Sequence, residues 1–317
     1  MSGPEIAVVV PAHGRPLRLR WLRIALQEQS LERSRFEVLI AAEQPGLLEL
    51  AAAHPLGALA IPAPGSGPAA RRNAAWRAAR APLVAFTDDD CRPPADWLAQ
   101  LLAAAGEHPG AVVQGTTRPD PDEAALRHRS PHARTQEVVP PTPFGQTCNI
   151  AYPREVLERL DGFDEDFPLA AGEDTDLLLR ARADGRALVA APGAVTFHAV
   201  EAASLGQAIV GAWRWRDLPL AVARHPGLRR HLVAGLFWKP AHARLCLALA
   251  GMAVARRRPL LGAALAAPWL AGGAGRYGGS PRGVARALAE LPRHTLVDGA
   301  EVAAMVRGSI RHGTLVL

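Results

Sequence analysis

Three carboxylates in succession, Asp88, Asp89 and Asp90, follow directly on the apolar run "LVAF". Like charges in a row repel, and burying them without a counter-charge is costly. The segment is therefore either a surface turn or a site that supplies a cation. An Asp-x-Asp at a strand end offers hard oxygen ligands that suit Mg2+ or Mn2+, ions that keep part of their water and share substrate phosphate oxygens. On an extended segment Asp88 and Asp90 share one side and Asp89 takes another. A second acidic group, Glu173 and Asp174 in "GEDTD", opens a helical pattern. The helix dipole favours acids there without any catalytic role. The small residues of "LAAGED" nevertheless leave room for a substrate, and a carboxylate so placed can take a proton from a hydroxyl. His198 ends the apolar run "AVTFHA" and is either a structural histidine or a neutral imidazole ligand completing the metal site.

The elements that position these groups follow from periodicity. "IAVVV" and "FEVLIAAE" are short apolar runs rich in β-branched residues, as strands buried on both faces are. "PLVAFTDDD" is a third strand, ending in the acids. Helical spacing marks "LRLRWLRIALQEQ", "ARRNAAWRAAR" and "ADWLAQLLAAAGEH", the last with Asp96 as its N-cap. Strands alternating with helices predict an α/β domain with a mostly parallel central sheet. In such sheets ligands bind beyond the carboxyl ends of the strands. "PAHGR", Glu43 and Asp88–Asp90 all fall there, which favours a site over a bland turn. Pro119–Pro143 reads as a long loop over that edge. "NIAYPREVLERLDGFDEDF" predicts strand, helix and turn, "GEDTDLLLRARADG" a helix closed by Gly185, and "RALVAAPGAVTFHA" strands ending on His198.

Charge divides the chain. The net +6 is the sum of −5 up to Ala223 and +11 from Arg224 onward, so a domain 1–223 and a basic, apolar, mostly helical region 224–317 are expected. In that second region Leu245–Ala255 and Leu260–Ala274 flank Arg256–Arg258. Each falls short of the ~18 residues a spanning helix needs. Apolar segments bordered by Arg and Trp suit an interfacial hairpin on an anionic membrane surface, the alternative being a soluble helical subdomain with an arginine-rich face. No nucleic-acid motif accompanies the charge, so nucleic acid is not an expected partner. Three scattered cysteines, Cys91, Cys148 and Cys246, exclude a disulfide framework. The N-terminus "MSGPEIAVVV" carries no secretion pattern, which makes a cytoplasmic location, peripheral to the membrane, the expectation.

In their order, "VVVPAHGRP", "FEVLIAAE", "GPAARRNAAWRAARAPLVAFTDDDCRPPADWL", "TCNIAYPREVLERLDGFDEDF", "GEDTDLLLRARADG" and "VTFHA" resemble the family-2 glycosyltransferases of GT-A fold over Ile6 to Val200. The resemblance implies a nucleotide-diphosphate-sugar donor, a divalent metal and inversion at the anomeric carbon. By position it implies Pro11, Arg15, Glu43, Arg72 and Asn73 along the nucleotide, with Asp88 and Asp89 on the donor side. It likewise implies metal ligation by Asp90, Asp88 and His198, and Asp174 as base with Glu173 orienting. "IAAEQPG" departs from the more acidic turn of the family at Glu43. A Gln-x-x-Arg-Trp motif of processive synthases is not evident, which favours a non-processive enzyme acting on a glycan, a lipid-linked or a small-molecule acceptor. Trp213 and Trp215 in "AWRWRDL" either stack on that acceptor or pack the tail, and Asn149 is a further acceptor-side candidate. Two rival functions remain. A nucleotidyltransferase would carry a glycine-rich, lysine-containing loop where "PAHGRPLR" stands. An inactive membrane scaffold would have no need of Asp88, Asp90, Asp174 and His198 together.

Overall fold

In the computed structural model, which describes residues 3–53, 55–63 and 67–317, strands and helices alternate as the sequence predicts. The chain forms two units, Met1–Ala202 and Ala203–Leu317. This division comes earlier than the change of charge at Arg224.

The first unit is built on a sheet of eight strands, in the spatial order β3-β2-β1-β4-β8-β6-β9-β5. They are β1 (Ile6–Ala12), β2 (Phe36–Ala42), β3 (Leu59–Pro62), β4 (Leu83–Phe86), β5 (Cys91–Arg92), β6 (Val112–Pro119), β8 (Ile150–Pro153) and β9 (Leu188–His198). Between β6 and β8 in the chain, β7 (Ala133–Arg134) joins β10 (Glu201–Ala202) in a separate ribbon. Strands β3, β2, β1 and β4 run parallel, as does β9 beside β6. β8 is antiparallel to both β4 and β6, and β5 is antiparallel to β9.

β1 shows why the sheet is buried on both faces. Ile6, Val8 and Val10 pack with Leu19, Leu22, Trp97 and Leu98 on one side. Ala7 and Val9 pack with Ala75, Trp76, Tyr152 and Leu177 on the other. Helices Pro16–Gln27 and Trp97–Glu107 thus cover one face, and helices Pro68–Ala78 and Glu173–Ala183 the opposite one.

Several expectations are corrected. Asp96 precedes helix Trp97–Glu107 but its side chain caps no N–H; its own backbone is already near-helical (φ −92°, ψ 0°). Pro119–Pro143 is not a plain loop: it starts at the last residue of β6, then forms helix Ala124–Arg129 and β7. The segment Val112–Thr117 that precedes it is a buried strand of this sheet, which the sequence reading passed over. Asp88–Asp90 do not continue β4 but turn, the Cys91 N–H bonding the Asp88 carbonyl at 3.1 Å, so the two-residue alternation expected of a strand does not apply. Helix Glu173–Ala183 ends as expected, with Gly185 at φ +84° just beyond it.

The second unit is helical. Pro240–Ala255 and Pro259–Ala274 form a hairpin, and the 32-residue helix Pro281–His312 runs to a short tail. No helix among the described residues is long and apolar enough to cross a membrane.

Candidate active site

The ends of β1, β2 and β4 converge, and backbone-to-side-chain bonds stitch them together. The Gly14 N–H donates to Gln44 Oε1 at 3.0 Å, and the His13 N–H donates to Asp89 Oδ2 at 2.8 Å. Pro11 lies within β1, opposite Ala41. Glu43, just past β2, is half-exposed and faces Arg71 at 3.3 Å.

The acidic turn splits into two charge clusters. Asp89 and Asp90 share the guanidinium of Arg15, whose Nη1 is 3.1 Å from Asp89 and 2.5 Å from Asp90. Its Nε reaches Glu201, which the sequence reading missed, at 3.1 Å. Asp88 turns the other way. Arg72, buried in helix Pro68–Ala78, bridges Asp88 Oδ1 (3.0 Å) and Glu173 Oε1 (2.9 Å) and lies over the Phe163 ring. Both arginines are pulled down by burial, but the surrounding carboxylates outweigh this and their net shift is upward. Burial pushes the Asp89 carboxyl up to about 7 despite Arg15.

Asp90 and His198 meet because β5 pairs with the end of β9, Cys91 opposite His198. The Ala199 N–H also bonds the Asp90 carbonyl at 2.9 Å. The His198 backbone carbonyl is held in turn by the Asp120 N–H and by Thr135 Oγ1, so the segment after β6 fixes this corner. His198 Nδ1 lies 2.9 Å from the Ala199 carbonyl and must be the protonated nitrogen in that bond. In the neutral ring Nε2 then presents its lone pair to Asp90 Oδ1, 3.5 Å away. That oxygen is buried and has no hydrogen-bond partner. Two inward-facing electron-pair donors, one oxygen and one nitrogen, fit a divalent cation; buried polar atoms are rarely left unpaired otherwise. Cys91 completes the cluster in space, but burial holds its thiol far above the ordinary value, and a soft sulfur is a poor match for a hard ion that prefers oxygen ligands. Asp88, expected beside Asp90, instead stands with Arg72 and Glu173.

Across from this corner, helix Glu173–Ala183 starts at Gly172, whose φ of +109° lets the chain turn tightly into it. Glu173 is buried, one oxygen on Arg72 and the other unpaired. Asp174 is partly exposed; its Oδ1 accepts the Thr175 N–H at 2.8 Å. Burial, reinforced by the neighbouring Glu173 and opposed by Arg72, pushes the Asp174 carboxyl up to about 8. A carboxyl so raised is a stronger base once it loses its proton.

Asn73 and Asn149 are hydrogen-bonded within the fold, whereas Trp213 is exposed. Asn73 donates to the Phe163 carbonyl and to Glu165, both at 2.8 Å, and accepts from the Phe163 N–H and the Trp76 indole. Asn149 accepts from the Trp97 indole and donates to the carbonyls of Thr116 and Ala194. Trp213 and Trp215 belong to the second unit. There the Trp215 indole donates to Glu301 at 3.2 Å, and its ring packs on Trp238 at 5.5 Å.

A model of the family described as glycosyl transferase family 2 matches residues 7–161. Among solved structures the chain is similar to the mannosyltransferase PcManGT from Pyrobaculum calidifontis, in complex with GDP-Man and Mn2+. Identity is 22%, coverage 98% of this chain and 87% of that one, and the TM-score 0.56. It is also similar to S. aureus TarS 1-349 in complex with UDP-GlcNAc, at 16% identity, 98% and 92% coverage and a TM-score of 0.52. No curated protein sequence matches it. At these identities the two structures bear on the fold, which is the GT-A-type α/β arrangement.

Proposed function

We propose that this chain, a family-2 glycosyltransferase by its residues 7–161, transfers a sugar from a nucleotide-diphosphate donor to an acceptor hydroxyl with inversion, using a divalent cation. The observation that carries the metal part is the unpartnered Asp90 Oδ1 facing His198 Nε2. Asp90 and His198 would hold Mg2+ or Mn2+. When bound, the ion would offset negative charge on the departing diphosphate. The complexes of the two similar structures, with GDP-Man and Mn2+ and with UDP-GlcNAc, support a donor of this class.

The chain's own groups supply the rest. Arg15, on the same acidic corner, would meet donor phosphates by trading its carboxylate contacts for them. Arg72 bridges Asp88 and Glu173 and orients both behind the site. Asp174, the less buried acid of the pair, takes the proton from the acceptor hydroxyl at its Oδ2 side, since Oδ1 is occupied by the Thr175 N–H. Glu173, buried and tied to Arg72, orients that carboxylate's surroundings and is not itself the base. The acceptor is a glycan, a lipid-linked sugar or a small molecule, reached by an enzyme working at the cytoplasmic face of a membrane.

Calorimetric titration with uridine, guanosine and thymidine diphosphate sugars, with and without Mn2+, tests this reading. Metal-dependent binding of one donor, lost in Asp90→Ala, is the expected result. A folded protein that binds no donor in either condition would overturn it.

A further inference from the structure

We infer that the hairpin of helices Pro240–Ala255 and Pro259–Ala274 is a docking element for an anionic phospholipid surface, entering it by the tip and not crossing it. The membrane-adjacent reading above is thereby given a specific element, and the test below is independent of transfer activity.

The hairpin is tightly built. A Cβ at Gly251 would stand 2.7 Å from the Gly262 carbonyl, and one at Gly262 would stand 2.7 Å from the Ala255 Cβ. The two helices therefore touch backbone to backbone near their connection, and the tip is a fixed shape. Inward, Leu245, Ala248 and Trp269 form a small core with Leu291 of the long helix Pro281–His312 packed against it. Outward, the apolar residues have no cover within their unit. Leu260 is 87% exposed and Met252 64%, with Leu247, Leu249, Leu261 and Leu270 also open. Between Leu245 and Ala255, and again between Pro259 and Ala274, there is no charged side chain. A water-facing helix surface would carry them.

The connection between the helices is Arg256–Arg257–Arg258, all exposed. Exposed leucine and methionine beside three arginines at a turn complement one kind of surface in particular: apolar chains beneath a layer of negative headgroups. A protein partner of acidic, apolar character or a second copy would need a matching acid-rich surface. From Arg224 to the C-terminus the chain has 14 basic residues against 3 acidic ones, which disfavours self-association through this region. At sixteen residues each, the helices are about 24 Å long, too short for the ~30 Å hydrocarbon core. Shallow insertion of the tip is what the dimensions allow.

The full chain is mixed with vesicles of phosphatidylcholine alone, or with one third phosphatidylglycerol, and the bound fraction is read by sedimentation. Binding to the anionic vesicles is expected, weakening with added salt. At roughly fivefold per basic residue, the combined Arg256→Ala, Arg257→Ala, Arg258→Ala variant should bind on the order of a hundredfold more weakly. Leu260→Asp should reduce binding with the arginines intact. Leu260→Trp should give a blue-shifted emission on vesicles, and circular dichroism and metal binding should match the parent. Failure of the parent to bind anionic vesicles would overturn the inference. So would equal binding to both vesicle types, or a dimer in light scattering that Leu260→Asp dissolves.

Discussion

His198 points its Nε2 at Asp90 Oδ1 across 3.5 Å while its Nδ1 lies 2.9 Å from the Ala199 carbonyl. One hydrogen bond thus sets both the tautomer and the direction of the imidazole, the usual way a protein readies a histidine for a metal. Removing either partner should therefore act on the ion before it acts on the fold. His198→Ala and Asp90→Asn are each expected to weaken Mn2+ binding at least about tenfold. Electron paramagnetic resonance of free Mn2+ in a titration reads this directly, and unchanged affinity in both variants would remove these residues from the metal site.

Asp174 is the second group whose chemistry is open to test. With its carboxyl pushed up to about 8, chiefly by burial and then by Glu173, it holds its proton at neutral pH in the free protein. The base form grows as pH rises. The profile of kcat/KM, which reports the free enzyme, should climb about tenfold per unit below pH 8 and flatten above it. Asp174→Asn should lower transfer by about 10²–10⁴-fold, leave donor binding in place and erase that acidic limb.

Arg72 joins two carboxylates that would otherwise repel across the site, Asp88 at 3.0 Å and Glu173 at 2.9 Å. Replacing it with an apolar residue leaves Glu173 buried beside Asp88 with no counter-charge. Arg72→Met should cost about 3–5 kcal/mol of stability. Arg72→Lys should recover part of this, because one ammonium cannot reproduce the two-pronged contact. Chemical denaturation of the three proteins orders them.

Glu301 is the anchor of the second unit. It accepts from Lys239 at 2.8 and 2.9 Å, from the Trp215 indole and from His242 at 2.9 Å. Burial alone would raise its carboxyl, but the His242 and Lys239 contacts win and hold it at about 2, against an ordinary 4.5. A depressed acid stabilises the fold above its unfolded value and loses that contribution as pH falls from 4.5 towards 2. The shift is equivalent to about 3 kcal/mol at neutral pH. Glu301→Gln should lower the thermal midpoint at pH 7, and the gap to the parent should narrow at pH 3.

Asn73 distinguishes a structural from a ligand-binding role. Its amide holds the turn at Phe163, next to Gly162, which has φ +68° and whose added Cβ would lie 2.4 Å from Asn73 Oδ1. Asn73→Ala should cost about 2–3 kcal/mol, for lost bonds and an orphaned buried N–H. Donor affinity measured on the folded fraction should stay near that of the parent.

Much of this was legible in residue order. The strands at Ile6, Phe36 and Leu83 and the helices between them follow from apolar runs and spacing, because a sheet buried on both faces leaves no room for polar residues along its strands. The placement of Asp88–Asp90, Glu43 and "PAHGR" at one edge follows from parallel order alone. Sequence also marked Asp174 and His198 as chemically able, and it separated a near-neutral domain from a basic one. What it could not decide is which acid meets which base. Asp88 left Asp90 for Arg72 because the chain turns after Phe86, and a turn ignores the alternation of a strand. Glu201 joined Arg15, and His198 joined Asp90, through short pairings of β5 with β9 and β7 with β10 that local propensity does not announce. Asn73 and Asn149 look like ligand-binding amides in the sequence, yet their donors and acceptors are committed to backbone and side chains far along the chain. Residue types and their spacing determine which groups are available. Partners distant in sequence are selected only when the packed chain brings buried charges and amides together, because each must then find a counter-charge or a hydrogen bond.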